Sequence, residues 1–368
     1  MLKKFRFPVS VLRRRLMVFQ EKLRQRNISA AMIRVQSTYT YFTGTKWLRP
    51  ALLVPANGDP VLFATIGEEE ELANRTWIEN IVTFKDGGEL MAKVSGIIRN
   101  SKYQVVGLEY GVERDAYIFF FEMFKRLNPE VKVVDVSDII YEMRMVKDEY
   151  ELEAVKRAGE IAVKVMEKTL SVVKPGISET EIAGEAYYSA YKFGSEEPKV
   201  YVNAGPSPRV HAEPFRDVKV EENTAVTIVL GVDYNNYYAN MSRTILLGKN
   251  TEGEKALECM KEVYSKALEL TKPSAKPIEV MRELDAIYRM YGLIDHRVVG
   301  YLHGVGLQIE EPPITTIIPK YRFTEMKHGM VIAFVHAPIV LKGVGQVKHE
   351  DTFIVTSKGL ERVTCSSY

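Results

Sequence analysis

The sequence predicts two domains of different architecture, an α/β domain followed by an α+β domain. Up to about residue 142, short apolar runs alternate with helical patterns, which is typical of an α/β domain. From residue 143 onward, long helical segments are followed by two hairpin patterns at 224–247 and 330–355. The length of 368 residues suits two or three domains of ~150 residues each. We therefore expect domains at residues 1–142 and 143–368.

Composition and charge narrow the classes of protein that this chain resembles. The hydrophobic fraction of 46% and the charged fraction of 27% are ordinary for a globular protein. A net charge of +2 implies no nucleic-acid or anionic-membrane partner, and no stretch approaches the ~18 apolar residues of a membrane span. Cys259 and Cys365 are far apart and in no metal-ligand spacing. We expect reduced thiols in a cytoplasmic protein.

The first domain opens with a basic segment that predicts an amphipathic helix. Apolar residues at 12, 16, 18, 19 and 23 form a helical stripe with Arg and Lys opposite. The segment lacks the ~7–15 apolar residues that a signal peptide needs. An Asn-Gly-Asp sequence at 57–59 predicts a hairpin between two of the strands that follow. Strands are predicted at 30–35, 51–55, 60–64, 81–84, 105–108 and 131–136, and a helix at 117–127.

The second domain is predicted to open with a long helix. Charged residues are interleaved at helical period from 143 to 168, and we place the domain start at about residue 147. Further helices are predicted at 179–193, 253–270 and 277–290. In the first hairpin, a two-residue loop at Tyr234-Asn235 places Val229 directly opposite Asn240.

The second hairpin has its predicted centre at Gly343. This centre pairs His336 with Glu350. A register slip of one residue presents Val335 instead and turns His336 to the other face. The register of this hairpin therefore stays open.

Two further segments carry histidines in positions suited to ligand contact. His303 is followed by Gly304 and Gly306, which can bring an imidazole and the backbone close to a ligand. His211 lies in a loop rich in Gly, Pro and Ser, two residues after Arg209. A single histidine is nevertheless more often a packed or solvated residue than a functional one.

These segments together resemble the pita-bread hydrolases, which include prolidases, aminopeptidase P, methionine aminopeptidases and the metal-free creatinases. Residues 229–244 resemble that family's Asp-Leu-Gly and Ser-Asp-x-Thr-Arg-Thr hairpin, and 303–313 its His-Gly-Ile-Gly-Leu-Glu-Ile-His-Glu-x-Pro stretch. Residues 329–331 with 350–352 are similar to its final hairpin, and 144–149 to its helix entry. The two-domain order best resembles prolidases (Xaa-Pro dipeptidases), aminopeptidase P and creatinases. The resemblance implies a creatinase-like N-terminal domain and a pita-bread C-terminal domain.

The resemblance also identifies the positions that hold two metals in the family's peptidases. In this chain they are Val229, Asn240, His303, His336 (Val335 in the slipped register) and Glu350. Val229 cannot ligate a metal, and Asn240 is a weak neutral ligand. One carboxylate leaves the charge of about +4 of two dications poorly balanced. We therefore expect that the two-metal centre has been lost. The family's second catalytic His is replaced by Glu310.

Three functions are compatible with this set of residues. A single divalent metal (Zn, Co or Mn) could hydrolyse an amide or C–N bond of a small peptide-like substrate. Its ligands would be Asn240, His303, His336 and Glu350. A metal-free, creatinase-like reaction would depend on His211. The third function is non-catalytic binding in the former active-site cleft.

The remaining roles also follow from the resemblance. The catalytic candidates are His211, His303 and Glu310, and the substrate-binding candidates are His211 and Arg209. Arg243 is expected to tie the first hairpin to a neighbouring carboxylate. The resemblance further implies a homodimer.

Overall fold

The computed structural model describes residues 5–111, 116–210, 213–335 and 337–365, the side chains of 116–118 excepted. The predictions for His211 and His336 therefore lie outside the described residues. Two compact units divide the chain, at Met1–Arg144 and Met145–Tyr368. The division lies two residues after the predicted one. Within the described ranges, no helix is both long and apolar enough to cross a bilayer.

The N-terminal unit has the predicted α/β architecture. Its described residues form one six-stranded sheet in the order β4-β3-β2-β1-β5-β6, in which β2 is antiparallel to both neighbours and the other pairs are parallel. The elements are α1 (Val9–Gln25), β1 (Ala30–Ile33), α2 (Gln36–Thr43), β2 (Leu52–Pro55), β3 (Val61–Thr65), α3 (Glu69–Arg75), β4 (Ile81–Phe84), α4 (Gly87–Asn100), β5 (Val105–Leu108), α5 (Ala116–Leu127), β6 (Lys132–Asp135) and α6 (Ser137–Met145).

Two details of this unit differ from the sequence prediction. Val18 is 44% exposed and does not belong to the buried stripe of α1, because it lies about 100° around the helix from Phe19. Helix α2 was not predicted, since its Thr, Tyr and Phe residues favour strands. Every residue from Ser37 to Thr43 is buried, so tertiary packing overrides the local preference.

The C-terminal unit combines helices with three sheets in its described part. Their orders are β7-β8-β9, β11-β10-β12-β15-β16 and β13-β14. The elements are α7 (Glu149–Val172), α8 (Glu179–Lys192), β7 (Lys199–Ala204), β8 (Thr224–Tyr234), β9 (Tyr237–Leu247), α9 (Thr251–Leu270), α10 (Pro277–Met290), β10 (Leu302–Gly304), β11 (Glu311–Ile314), β12 (Val331–Phe334), β13 (Ile339–Leu341), β14 (Gly345–Val347), β15 (Asp351–Thr356) and β16 (Gly359–Arg362), with 3-10 turns at Ile294–His296 and Pro319–Phe323.

The predicted helix from residue 143 to 168 is two helices, so that prediction was wrong. Helix α6 ends at Met145, and α7 begins after Asp148. The Asp148 carboxylate accepts hydrogen bonds from the backbone N–H groups of Tyr150 and Glu151, and the Glu151 carboxylate accepts one from the Asp148 N–H. This capping box holds Asp148 in an extended conformation and ends helical continuity there.

Two apolar clusters form the core of the C-terminal unit. Helices α7 and α8 pack on the sheet of β7, β8 and β9. Helices α9 and α10 pack with residues of the five-stranded sheet. The two sheets meet at Ser242 and Glu350, whose backbones exchange hydrogen bonds of 3.0 and 3.2 Å. This junction brings Glu350 beside the first hairpin.

Two helical glycines of this unit give a matched stability prediction. A Cβ at Gly159 of α7 would lie 2.6 Å from the carbonyl oxygen of Val363, whereas a Cβ at Gly184 of α8 would meet nothing within 4 Å. We expect Gly159→Ala to destabilise the protein by about 1–3 kcal/mol through overpacking. Gly184→Ala should stabilise it by about 0.5–1 kcal/mol through helix propensity. Urea unfolding measures both, and equal effects of the two variants would contradict the close packing of α7.

Candidate functional site

Residues from separate segments surround a small cavity of about 90 Å³ in the C-terminal unit. Five of them were predicted as site positions, and the structure brings these five together. Tyr201, Ile309 and Lys348 were not predicted as site residues. Lys348 lies two residues before Glu350, a spacing that could have indicated a shared face of an extended chain. The lining residues are Tyr201, Val229, Asn240, His303, Ile309, Glu310, Lys348 and Glu350.

The predicted loop of the first hairpin was wrong by one position. The loop residues are Asn235 and Asn236, with φ of 52° and 69°. Consecutive positive φ values suit a two-residue hairpin turn, and Asn tolerates them. The buried Asp233 carboxylate stabilises this turn, because it accepts hydrogen bonds from Ser195 Oγ at 2.7 Å and from the Asn236 N–H at 3.3 Å.

The corrected loop moves the strand register by two residues. Val229 pairs with Ser242, and Asn240 pairs with Gly231. The predicted direct pair of Val229 and Asn240 is therefore wrong. Since side chains alternate with a period of two, the shift leaves both residues on the same face. They line the cavity as diagonal neighbours.

Asn240 is held in one orientation. Its Nδ2 donates to the Ile309 carbonyl at 2.8 Å, and its backbone N–H donates to Thr352 Oγ1 at 2.8 Å. Its Oδ1 is buried and has no hydrogen-bond partner among the described residues. A hydrogen-bond acceptor therefore faces the cavity without a donor.

His303 is buried on β10, with Nδ1 at 2.9 Å from the Gly304 carbonyl and Nε2 at 3.7 Å from Glu350 Oε1. Burial lowers the pKa of His303, but the hydrogen bond to Glu350 and the charge of Glu310 outweigh it, so the pKa is raised. The glycine after His303 is required, since a Cβ at Gly304 would lie 2.5 Å from the Pro312 carbonyl oxygen.

The last hairpin has two registers. Strands β13 and β14 pair around Gly343 as predicted, but β12 and β15 pair in the slipped register, with Phe334 opposite Asp351. Val335, the slipped alternative to His336, is buried in the apolar cluster with α9 and α10, and offers no ligand atom. The structure pairs the backbone of Glu350 with that of Ser242.

Lys348 places an ammonium group inside the site. Its Nζ lies 2.5 Å from Glu350 Oε2, and both side chains are only 1% exposed. A buried carboxylate needs a compensating cation, because its desolvation costs several kcal/mol. Lys348 supplies this cation to Glu350, the carboxylate that was predicted to ligate a metal.

Two arginines near the site are engaged with carboxylates. Arg209 forms an ion pair with the buried Glu179 and lies over the ring of Phe215 at 4.6 Å. Arg243 donates to the Glu350 carbonyl at 3.0 Å and to Asp351 Oδ1 at 3.0 Å, as expected for a tie to a neighbouring carboxylate. The substrate-binding role of Arg209 stays a prediction.

The two-unit architecture and the order of these motifs define the pita-bread class, with a creatinase-type N-terminal domain. The chain belongs to metallopeptidase family M24, whose model matches residues 153–357. The creatinase/prolidase N-terminal domain matches residues 15–146. The resemblance and the fold class predicted from the sequence are thereby confirmed.

The chain is similar to prolidases over almost its whole length. It is 29% identical to an Xaa-Pro dipeptidase from Pyrococcus furiosus over 331 residues, which cover 88% of this chain and 90% of that protein. The solved prolidase from Pyrococcus horikoshii matches with a TM-score of 0.85 and 25% identity, over 96% of this chain and 99% of that one. Aminopeptidase P from E. coli shares the fold, with a TM-score of 0.78, 16% identity and coverage of 98% and 95%.

The residues at the site do not fit the two metals that this family implies. Val229 places hydrocarbon at one predicted ligand position, and Asn240 places a neutral amide at another. The Glu350 carboxylate is already engaged by the Lys348 ammonium. Among the side chains that the structure describes, no group of three or more His, Cys, Asp or Glu is arranged to hold a metal ion.

Proposed function

We propose that the C-terminal cavity binds the end of a small peptide-like ligand and does not hydrolyse Xaa-Pro peptides through a two-metal centre. The observation that carries the proposal is the buried ion pair of Lys348 and Glu350. The peptide-like ligand is inferred from relatives named Xaa-Pro dipeptidase and prolidase, with which the chain shares fold and motif order.

The charge of Lys348 supports this function. A metal bound to Glu350 would lie close to the ammonium group, and like charges at short range in a buried site repel strongly. The ammonium already neutralises the carboxylate, so a dication gains little attraction there. Val229 also removes one carboxylate that would have bridged or balanced two metals.

A single-metal hydrolase is the second candidate. It is favoured by three groups that line the same cavity: the imidazole of His303, Oδ1 of Asn240 and the carboxylate of Glu350. Such a site would hold Zn, Co or Mn, and the metal would activate a water molecule. It requires Lys348 to release Glu350. Its further ligand His336, and the His211 of a creatinase-like reaction, lie outside the described residues.

Metal content and turnover test the proposal together. Protein purified without chelator is analysed for Mn, Co and Zn, and is then assayed on Ala-Pro with each metal added. We expect far less than one metal per chain and no hydrolysis. A prolidase assayed in parallel is the positive control.

The possible results separate the candidates. One metal per chain, with hydrolysis that His303→Ala abolishes, would favour the single-metal hydrolase. Two metals per chain with turnover of Ala-Pro would refute the proposal.

We further propose a homodimer located in the cytoplasm. The predicted reduced thiols, Cys259 and Cys365, support the location, since disulfides are rare in cytoplasmic proteins. Burial raises the pKa of the Cys259 thiol to about 12, so it is unreactive. Light scattering coupled to gel filtration tests the dimer, and a mass of one chain would contradict it.

A further inference from the structure

Two residues that line the cavity carry a buried hydrogen-bond acceptor for which the described residues supply no donor. Oδ1 of Asn240 and Oε1 of Glu310 are both buried atoms without a partner among the described residues. Asn240 is 2% exposed, and both side chains line the cavity. A buried acceptor without a donor is unfavourable, and a ligand that supplies an N–H group relieves it.

The orientation of the Asn240 amide follows from its neighbour. Its Nδ2 donates to the Ile309 carbonyl at 2.8 Å. A flipped amide would place its oxygen against that carbonyl, so two acceptors would face each other. Oδ1 therefore points away from Ile309 and stays an acceptor.

The Glu310 carboxylate also favours a cationic ligand. The Lys348 ammonium is already matched to the Glu350 carboxylate at 2.5 Å. Glu310 adds a second carboxylate to the lining, and Tyr201 adds an aromatic ring. An ammonium group carries three N–H donors, and aromatic rings attract cations.

We propose that the cavity recognises the primary ammonium group of a peptide or other amino compound through Asn240 Oδ1 and Glu310 Oε1. This inference rests on the proposed ligand-binding function and names the ligand's chemistry. Val229 and Ile309 provide apolar contact for the carbon that bears the amine. The volume of about 90 Å³ is below the ~300–1,000 Å³ of sites that enclose a whole ligand. Only the ammonium-bearing end enters.

Calorimetric titration with Ala-Pro and N-acetyl-Ala-Pro tests the inference. Acetylation keeps the peptide and removes the positive charge. We expect Ala-Pro to bind and acetylation to weaken binding at least roughly tenfold, since a hydrogen bond between charged groups is lost. Glu310→Gln should weaken Ala-Pro roughly 10–100-fold and leave N-acetyl-Ala-Pro unaffected. Glu283→Gln removes an exposed carboxylate of α10 outside the cavity and is the matched control, with unchanged affinity expected.

The outcomes distinguish this inference from the function on which it rests. Equal affinity for both peptides, or an unchanged affinity in Glu310→Gln, overturns ammonium recognition and leaves ligand binding intact. If the wild-type protein does not bind Ala-Pro, ammonium recognition is likewise overturned. Cleavage of Ala-Pro during the titration, detected by mass spectrometry in protein with two metals per chain, overturns the proposed function instead. Circular dichroism verifies that each variant is folded.

Discussion

Replacing Lys348 by methionine is expected to destabilise the C-terminal unit by about 3–5 kcal/mol, because it leaves the buried carboxylate of Glu350 without its cation. Both side chains are 1% exposed, so water cannot replace the lost partner. Urea unfolding followed by far-UV circular dichroism measures the loss. Tryptophan fluorescence gives a separate signal for the N-terminal unit, since Trp47 and Trp77 both lie there.

Two further variants control this experiment. Lys156 forms an ion pair with Glu361, but the side chains are 44% and 48% exposed. Lys156→Met should therefore cost less than about 1 kcal/mol. Adding Glu350→Leu to Lys348→Met should recover much of the loss, because the uncompensated charge is gone. If Lys348→Met were as stable as Lys156→Met, the Lys348 ammonium would not be stabilising the buried Glu350 carboxylate.

Asp351→Ala is also expected to lower the free energy of unfolding of the C-terminal unit by about 3–5 kcal/mol, because it leaves Arg243 buried without its carboxylate. The Asp351 carboxylate accepts hydrogen bonds from Arg243 at 3.0 Å, from Arg362 at 2.6 Å, from Tyr264 at 2.6 Å and from Thr364 at 2.7 Å. These contacts join the first hairpin, α9 and the final strands. The same unfolding experiment measures the effect.

The contribution of Asp351 to the stability of the C-terminal unit should decrease at acidic pH. Burial raises the pKa of Asp351, but hydrogen bonding and the positive charges around it outweigh burial, so the pKa is lowered. The stabilisation is therefore present above the unfolded pKa of about 3.9 and is lost as the pH falls through the lower folded value. The stability difference between wild type and Asp351→Ala should narrow as the pH falls below about 4, because the carboxylate then becomes protonated.

An exposed aspartate provides the comparison. Asp138 pairs with Arg26, with side chains 59% and 45% exposed. Asp138→Ala should change stability by less than about 1 kcal/mol at any of these pH values. If the stability difference for Asp351→Ala increased as the pH fell below about 4, the folded pKa of Asp351 would be raised, contrary to the expectation.

Elements with a strong local signal could be predicted closely from the sequence. The strands at 81–84 and 105–108, helix α10 and the outer limits of the first hairpin agree with the structure. Apolar periodicity and turn residues are local properties, so they can be read without the fold. Helix α2 and the break before α7 were missed, because burial and a capping box decided them.

Within the candidate site, two features could be predicted from the type of residue alone, without knowledge of the fold. Val229 offers no ligand atom in any conformation, and Glu310 stands where the resemblance implies a histidine. The sequence by itself thus determined the family and the two-domain order, and the alteration of the metal positions stays a prediction from the resemblance.

Only the tertiary structure decided how the altered site is stabilised. Lys348 and Glu350 are two residues apart, but the contact between their charged groups depends on how the chain is bent and buried there. The orientation of the Asn240 amide is likewise set by the Ile309 carbonyl, distant in sequence, which leaves Oδ1 without a donor among the described residues. The energy of a charge or a polar atom is set by its distance from partners and from water. These distances are properties of the folded chain and are absent from the order of its residues.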